Sequence, residues 1–203
     1  MILGAALVIT ALSLFLYNRS EDRAAGRAAG KLAGSIRAEI QKGENETEGE
    51  TAEGADSDTG SDTAAQPEMT DTAMTVCEID GYACIGYLSI PALDLTLPVL
   101  NEWNSENLKI SPCRYSGSAK TGDLILCGHN YAAHFGGLKE LAGGDEVLLT
   151  DMDGRAWLYQ VAEVETLAPD AVDKMMAGGY DLTLFTCTVG GSARVAVRCM
   201  LTE

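Results

Sequence analysis

Hydrophobic and polar positions divide the chain into three parts. Residues 1–18 are almost entirely apolar, and residues 19–80 are rich in Ala, Gly and Arg and then in Glu, Asp and Thr. Residues 81–203 contain short apolar or alternating runs separated by Gly, Pro, Asn and Asp, which is typical of a β-rich domain. We therefore predict an N-terminal hydrophobic segment, a polar connection and one folded domain with these boundaries.

The third part is predicted to contain about eight short strands and few helices. Runs rich in Val, Ile, Leu and Thr predict strands at Cys84–Ile90, Leu93–Leu100, Gly122–Gly128, Glu146–Thr150, Arg155–Val164, Asp181–Cys187 and Arg194–Cys199. Short helices are expected within Asn101–Ile110, Ala132–Ala142 and Pro169–Met176, and a loop is expected at Ser111–Ser118. Strands of this even spacing favour a mainly β fold, a closed eight-stranded β-barrel with a few short helices.

The apolar segment Met1–Tyr17 is slightly shorter than the ~20 residues that span a bilayer core, and we predict a transmembrane helix over residues 1–18. A cleaved signal peptide is an alternative, although a basic n-region is lacking, and a buried helix is a third. The basic residues near the segment all follow it, and the positive-inside rule then leaves the C-terminal part in the cytoplasm. They are Arg19, Arg23, Arg27, Lys31 and Arg37.

The polar connection, residues 19–80, has two parts. Ala, Leu and Arg in Glu21–Ile40 favour a juxtamembrane helix, which Ala-Gly steps weaken. Gln41–Asp80 is acidic with almost no large apolar residue, so it cannot bury enough surface to offset the entropy of ordering. We expect a disordered linker, either a stalk that holds the domain away from the membrane or a solvated tail without a defined role.

Composition excludes some functional classes. The formal net charge is -16 and the isoelectric point is about 4.4, which argues against nucleic acid as a partner because phosphate binding needs clustered Lys and Arg. The chain has six Cys without a Cys-x-x-Cys pair, and two His, so we expect no metal site. Most of the Cys are expected to be small buried hydrophobic residues.

The candidate chemistry lies in one predicted hairpin. The strand Asp181–Cys187 ends in a thiol, Gly, Gly and Ser in Thr188–Ala193 turn the chain, and Arg194 opens the return strand. A guanidinium beside a thiolate is suited to stabilising negative charge that develops during nucleophilic attack. Cys187 is therefore a candidate nucleophile, and Arg194 is a candidate oxyanion or substrate ligand.

An acid–base partner is sought among two histidines. His129 follows an apolar strand, while His134 lies near a predicted helix start, and we favour His129. Arg198 competes with Arg194 because both lie on the same face of their strand by parity; its alternative role is a charge on the barrel surface.

These residues resemble the sortases. That family has a Thr-Leu-x-Thr-Cys signature at a strand end, matched by Thr183–Cys187, and an Arg at the start of the next strand, matched by Arg194. It also has a His in an earlier loop after a strand, matched by His129 at the end of Leu124–His129. A Gly-x-Leu-x-Ile-Pro run, here Gly86–Pro91, opens the family's barrel. The resemblance covers roughly residues 81–203, and the class is class B-like or a related one.

The resemblance implies a sortase-type β-barrel and a cysteine transpeptidase with Cys187, His129 and Arg194 in the catalytic site. Its substrate would be a secreted protein with a C-terminal sorting signal of the Leu-Pro-x-Thr-Gly type, cleaved after Thr through a thioacyl intermediate on Cys187. The acyl group would pass to an amine on a peptidoglycan cross-bridge or a pilin Lys. The enzyme would be anchored in a Gram-positive cell membrane with its catalytic domain outside the cytoplasm, opposite to the positive-inside expectation, and would need no cofactor.

Two other functions stay open at this point. A cysteine peptidase of cell-wall peptides uses the same types of residue, although such enzymes usually place Cys at a helix start with His downstream. A non-enzymatic surface binding module with incidental Cys and His is the other. It predicts that Cys187 is no more reactive than the buried thiols.

Overall fold

The computed structural model of the chain describes residues 2–50 and 72–202. Within these ranges one long helix precedes nine strands and two short helices. They are α1 (Ile2–Glu50), β1 (Cys77–Ile79), β2 (Tyr82–Ile90), β3 (Leu95–Leu100), α2 (Asn107–Ile110), β4 (Cys113–Ser116), β5 (Leu124–Gly128), β6 (Glu146–Asp151), β7 (Ala156–Leu167), α3 (Val172–Met175), β8 (Leu182–Cys187) and β9 (Arg194–Leu201).

Eight of these strands close into a barrel, which confirms the predicted fold class. The order is β1-β2-β3-β4-β5-β8-β9-β7-β6, and β6 also pairs with β2, so the strands β2 to β9 form a ring. The β2–β6 pairing closes the ring, and β1 also pairs with β2 on that side. The first residues of β2 pair with β1 and its later residues pair with β6, on either side of the irregularity between Cys84 and Gly86. A closed ring leaves few unpaired backbone groups at sheet edges.

The predicted loop at Ser111–Ser118 is wrong in its middle, where β4 forms. β4 pairs antiparallel with β5 and contacts β3 in a parallel bridge between Leu100 and Cys113. Pro112 and Gly117 flank the strand and mark its ends, which is why turn residues dominated the sequence pattern. Because β4 completes the ring between β3 and β5, this short strand is needed for closure.

The predicted helices are shorter in the structure. The Ala132–Ala142 helix is replaced by a 3₁₀ helix at Phe135–Glu140. A Cβ at Gly136 would lie 2.6 Å from the Tyr131 carbonyl oxygen, so this close turn requires glycine. Gly136 and Gly137 are adjacent in this segment and also disfavour a regular α-helix. The helix expected at Pro169–Met176 is reduced to α3.

The barrel interior is filled by alternate residues of every strand except β1 and β4. Leu88, Val99, Leu126, Leu149 and Val197 are each 1% exposed or less and belong to one cluster. Residues of β8 at even positions point into this interior, since Leu182 and Leu184 are fully buried. The odd positions, which include the end residue Cys187, therefore face outward.

The long helix α1 packs on the outside of the barrel through one stripe. Its buried residues recur every three or four positions, as expected for one helix face; they are Ala25, Ala29, Leu32, Ala33, Ile36 and Ile40. Leu32, Ile36 and Ile40 join a second apolar cluster with Leu100 of β3 and Met152. The helix thus covers a side of the barrel that would otherwise be exposed to water.

Parts of the predicted linker are ordered. α1 continues from the predicted juxtamembrane helix to Glu50, beyond the expected end at Ile40, and β1 pairs with β2 ahead of residue 81. Packing at Ile40 and the pairing of β1 provide tertiary contacts that composition does not reveal. The predicted disorder between residues 51 and 71 falls outside the described residues.

The first turns of α1 are apolar and exposed. Leu7, Ile9, Leu12, Phe15 and Tyr17 have exposed fractions between 55% and 66%. In the part of the chain that the structure describes, no helix combines the length and the apolarity needed to cross a bilayer.

Candidate active site

Strand pairing places the thiol of Cys187 beside Arg194. β8 ends at Cys187, β9 begins at Arg194, and the two residues are direct partners in the antiparallel ladder. Cα atoms of such partners lie about 4.5–5.5 Å apart, with both side chains on the same face. Cys187 is exposed, and Arg194 is half-buried. Because the hairpin holds both residues, their proximity follows from register alone.

The hairpin loop is held by its own hydrogen bonds. The Thr188 N–H donates to the Ala193 carbonyl at 3.0 Å, and the Ala193 N–H donates to the Thr188 hydroxyl, also at 3.0 Å. The Arg194 Nη1 donates to the carbonyls of Gly191 and Ala193, each at 3.1 Å. These two bonds hold the Nη1 nitrogen in place. The Nε and Nη2 groups of Arg194 form no hydrogen bond with described residues.

His129 reaches the same edge through the parallel pairing of β5 with β8. Gly128 pairs with Thr186, so the next residues along the two strands are His129 and Cys187. Neighbouring strands lie about 4.8 Å apart. The Thr186 hydroxyl donates to the Gly128 carbonyl at 2.8 Å and fixes this end of the pair. The pairing brings together residues that lie far apart in the sequence.

The backbone around His129 is constrained by Phe135. A Cβ on Gly128 would lie 2.7 Å from the Phe135 ring, so this position requires glycine for the ring to approach the strand. The Phe135 N–H donates to the His129 carbonyl at 3.2 Å, which closes the loop over residues 129–135. The Tyr131 ring lies 5.0 Å from the His129 ring and covers one of its sides.

The ionisation of His129 differs from that of an exposed imidazole. Partial burial lowers the pKa of His129 from its usual value, and the positive charge of Lys109 lowers it further. The neutral ring is therefore favoured, as a proton acceptor requires.

The other five thiols differ from Cys187 in their burial. All six Cys are free. Burial raises the pKa of Cys84 to about 11, and those of Cys127 and Cys199 to about 12, so these thiols stay protonated. Cys187 is the exposed thiol among the six, which confirms the expectation that most of the others are buried.

One cavity joins the three predicted residues. Its volume is about 270 Å³, and His129, Cys187 and Arg194 all line it. Its other walls are mainly apolar: Trp103, Leu108, Tyr115, Ala168, Pro169, Ala171, Val172, Met175 and Phe185. We call it the active-site cavity. It brings a thiol, an imidazole and a guanidinium together beside an apolar groove, an arrangement that could support a covalent acyl transfer on an extended peptide.

Comparison with known families identifies the domain that carries these residues. The family profile described as the Sortase domain matches residues 88–202, from β2 to the end of β9. The chain belongs to the sortase family. The match contains the hairpin of Cys187 and Arg194 as well as His129, and it excludes α1 and β1.

Individual sortases resemble the chain over its barrel. Sortase A of Bacillus anthracis is 31% identical over 134 residues, which are 60% of each chain, so the match spans about three fifths of that relative's length. Sortase C1 of Streptococcus agalactiae superposes with a TM-score of 0.55 at 29% identity, covering 61% of this chain and 70% of the other. Sortase A of Corynebacterium diphtheriae gives 0.56 at 25% identity, over 60% and 62%.

Arg198 has a structural role in this sortase, and its predicted alternative as a surface charge is wrong. It is 2% exposed, and its Nε donates to Glu165 at 2.8 Å. Its Nη1 donates to the Met175 carbonyl at 2.9 Å and to the Thr183 hydroxyl at 3.0 Å, and its Nη2 donates to the Lys174 carbonyl at 2.6 Å. Arg198 thus ties the end of α3, which lines the active-site cavity, to the barrel wall.

His134, the other candidate base, does not line the active-site cavity. It is fully buried, beside the backbone of Ala25 in α1 and of Ile110 in α2. Neither ring nitrogen has a hydrogen-bond partner among the described residues. Burial, with a smaller effect of His129, lowers the pKa of His134 to about 4. A neutral buried ring of this kind fits a packing role between α1 and the barrel.

A second opening reaches Cys187 and His129 from α1. Tyr17, Asn18, Glu21 and Asp22 of the helix line it together with both residues and with Tyr131. Asp22 accepts a hydrogen bond from the Ala133 N–H at 3.0 Å, which attaches α1 to the loop that carries His129. The sequence pattern predicted a transmembrane helix over residues 1–18 and a juxtamembrane helix over Glu21–Ile40, and it gave no sign that these residues line an opening beside Cys187.

Proposed function

We propose that this sortase is a cysteine transpeptidase that uses Cys187 as nucleophile, His129 as acid and base, and Arg194 as oxyanion ligand. The observation that carries the proposal is the convergence of these three side chains on one apolar cavity. The substrate class, a C-terminal sorting signal of the Leu-Pro-x-Thr-Gly type on a secreted protein, comes from the family resemblance.

The first half of the reaction forms a thioester. His129 takes the proton of the Cys187 thiol, the sulfur attacks the carbonyl carbon of the substrate Thr, and negative charge develops on the carbonyl oxygen. The Arg194 guanidinium, held by its loop, stabilises this charge. Protonated His129 then gives a proton to the leaving amine of Gly, the C–N bond breaks, and the acyl group remains on sulfur.

The second half returns the enzyme to its starting state. Neutral His129 removes a proton from the incoming amine, which attacks the thioester carbonyl. The C–S bond breaks, and the released Cys187 sulfur takes the proton from His129. The acceptor is an amine on a peptidoglycan cross-bridge or a pilin Lys, in keeping with the family. The apolar walls of the cavity limit the access of water, which favours transfer over hydrolysis.

Location at the membrane is part of the proposal. The exposed apolar side chains at the start of α1 support anchoring of the first residues in the cell membrane, with the barrel outside the cytoplasm. Protease treatment of intact cells tests this orientation. Digestion of a tagged barrel supports it, and protection until the cells are broken contradicts it.

The decisive experiment is substitution of the nucleophile. Cys187→Ala is expected to lower the transfer of a Leu-Pro-x-Thr-Gly peptide to an amine by at least about 10³-fold, measured by mass spectrometry of the product. Cys77→Ala is the matched control, because Cys77 is a half-buried thiol of β1 that does not line the active-site cavity. The control should retain activity.

The same assay separates the alternatives. Hydrolysis without transfer, at saturating amine, would favour a peptidase of cell-wall peptides. Equal turnover by the parent enzyme and Cys187→Ala would refute the proposed nucleophile. Absence of turnover with a peptide library, together with equal labelling of Cys187 and the buried thiols, would favour a binding module.

A further inference from the structure

A second cavity shares a wall with the active-site cavity. Its volume is about 470 Å³, and we call it the side cavity. It is lined by Asn101, Glu102, Trp103, Arg114, Tyr115, Ser116 and Gly117. Trp103 and Tyr115 line both cavities, so a peptide bound beside Cys187 can extend into the side cavity by passing these two rings.

The side cavity contains a cation without an acidic partner. Arg114 lies on β4, is half-buried, and its Nε donates to the Asn101 carbonyl at 3.2 Å. No carboxylate of a described residue lies within ion-pair distance of its guanidinium. Arg198, by contrast, is paired with Glu165 and bonded to two backbone carbonyls. A half-buried guanidinium offers a planar pair of donors that matches a carboxylate.

A buried acceptor in the same wall also lacks a partner. The Asn101 side-chain oxygen is buried and accepts no hydrogen bond among the described residues. Buried acceptors are nearly always satisfied, so this oxygen would gain a hydrogen bond if a shift of the Asn101 side chain brought it to an N–H donor of a bound molecule. A peptide supplies both groups, a backbone N–H for Asn101 and an acidic side chain for Arg114.

An aromatic row connects the side cavity to the nucleophile. Trp103, which is 53% exposed, stacks on Tyr115 with ring centroids 5.7 Å apart. Tyr115 meets the edge of Phe185 at 5.3 Å, and Phe185 lies two residues before Cys187 on the same face of β8. These rings form an apolar floor along which the main chain of a peptide can lie.

We propose that the side cavity binds an acidic side chain of the peptide substrate, outside the five-residue sorting motif, through Arg114. This inference rests on the proposed function and adds a specificity-determining residue to it. Glu102 also lines the cavity and opposes an anion, but it is exposed and its charge is screened by water. Arg114 is less exposed, so its field dominates at the wall.

The test uses pairs of peptides that share one sorting motif and differ by Asp or Asn at a single flanking position. In the parent enzyme, kcat/KM is expected to be about 3- to 10-fold higher for Asp at one flanking position, and this ratio should fall as salt is added. Arg114→Gln should bring the ratio to about 1, and Arg114→Lys should retain part of it. An Asp/Asn ratio near 1 in the parent at every position would overturn the inference.

Controls separate this inference from the proposed function. Arg155→Gln removes the same charge from the β6–β7 hairpin, where Arg155 stacks on Trp157, and should leave the ratio unchanged. Calorimetry with Cys187→Ala measures the affinity for the same peptides without turnover, and so tests the side cavity independently of catalysis. Selective binding of the Asp peptide without turnover by the parent would refute the transpeptidase and support the side cavity. Turnover with the same Asp/Asn ratio in the parent and in Arg114→Gln would support the transpeptidase and refute the role of the side cavity.

Discussion

At the scale of single residues, the two histidines show how burial divides one residue type into two roles. His129 is partly buried at a strand end and lines the active-site cavity, while His134 is enclosed between α1, α2 and the 129–135 loop. The unpaired ring nitrogens of His134 have no group nearby that favours the charged form strongly enough to offset burial. The folded chain therefore favours the neutral form of His134.

This linkage predicts a loss of stability in mild acid. The pKa of His134 is about 4 in the folded chain and about 6.5 in the unfolded chain, so between these values the unfolded chain binds the extra proton. Stability is therefore retained above about pH 6.5 and falls as the pH decreases toward 4. From pH 7 to pH 5 this residue should remove about 2 kcal/mol from the free energy of unfolding.

Urea unfolding at the two pH values, compared between the parent and His134→Leu, measures the effect. Carboxylates and His129 titrate in both proteins, so the difference between their pH dependences belongs to His134. The parent should lose about 2 kcal/mol more than the variant between pH 7 and pH 5. Equal losses would mean that His134 is hydrated or bonded in the folded state.

At the scale of elements, the segment between β7 and β8 depends on a residue outside it. α3 has only four residues, too few to be stable alone, and its Lys174 and Met175 carbonyls are bound by Arg198 of β9. Met175 also packs with Leu167 and Ala196 in a small apolar cluster. The wall of the active-site cavity is thus fixed from the barrel rather than by its own helix.

Arg198→Leu is predicted to loosen this wall. Removal of the guanidinium leaves Glu165, whose side chain is 30% exposed, and two carbonyls without their partner, and a buried acceptor left unsatisfied costs about 1–3 kcal/mol. Urea unfolding should show a decrease of that size, and KM for the peptide should rise because α3 lines the cavity. Arg155→Leu, on the other hairpin, is the control. Unchanged stability and KM in Arg198→Leu would show that α3 is held by other contacts.

At the scale of the whole molecule, α1 and the barrel form a common apolar interface. Ile36 is fully buried between the helix and the barrel, in one cluster with Leu100 and Met152. Arg37 lies over the Tyr87 ring at 5.0 Å, and Asp22 accepts a bond from the loop of His129. Contacts along the helix therefore couple its folding to that of the barrel.

Ile36→Ala is expected to lower the free energy of unfolding by about 2–5 kcal/mol. Glu39→Ala, at an exposed position of the same helix, should change it by less than about 0.5 kcal/mol. Circular dichroism reports the helix and tryptophan fluorescence reports the barrel, and in the parent both should give one unfolding midpoint. Two separate midpoints in the parent, or equal effects of the two substitutions, would show that α1 is not part of the cooperative unit.

Most strands of the barrel, and the pairing of Cys187 with Arg194, could be predicted from local patterns in the sequence. Alternation and turn residues predicted most strands within a few residues, because a half-buried strand imposes a period of two on its side chains. Cys187 and Arg194 flank a short turn, so their register could be read from the hairpin itself. The sortase resemblance rested on these same residues, and the family match confirmed it.

Other features were decided by contacts between distant parts of the chain. β4 is too short and too rich in turn neighbours to be recognised, and it forms because β3 and β5 on either side complete its hydrogen bonds. The ordering of β1 and the packing of α1 depend on surfaces that the barrel presents only after closure. The local sequence of β1, β4 or α1 does not indicate which distant strands and surfaces each will contact.

The sequence by itself determined the fold class, the family and the identity of the candidate nucleophile, since these depend on periodicity and on a hairpin register that is local. Only the tertiary structure decided that His134 is enclosed, that Arg198 holds α3 and that Arg114 lines a cavity with no carboxylate of a described residue within ion-pair distance. The physical reason is that burial and hydrogen-bond partners are properties of the assembled surface. Identical residue types acquire different charge states and roles according to what closes over them.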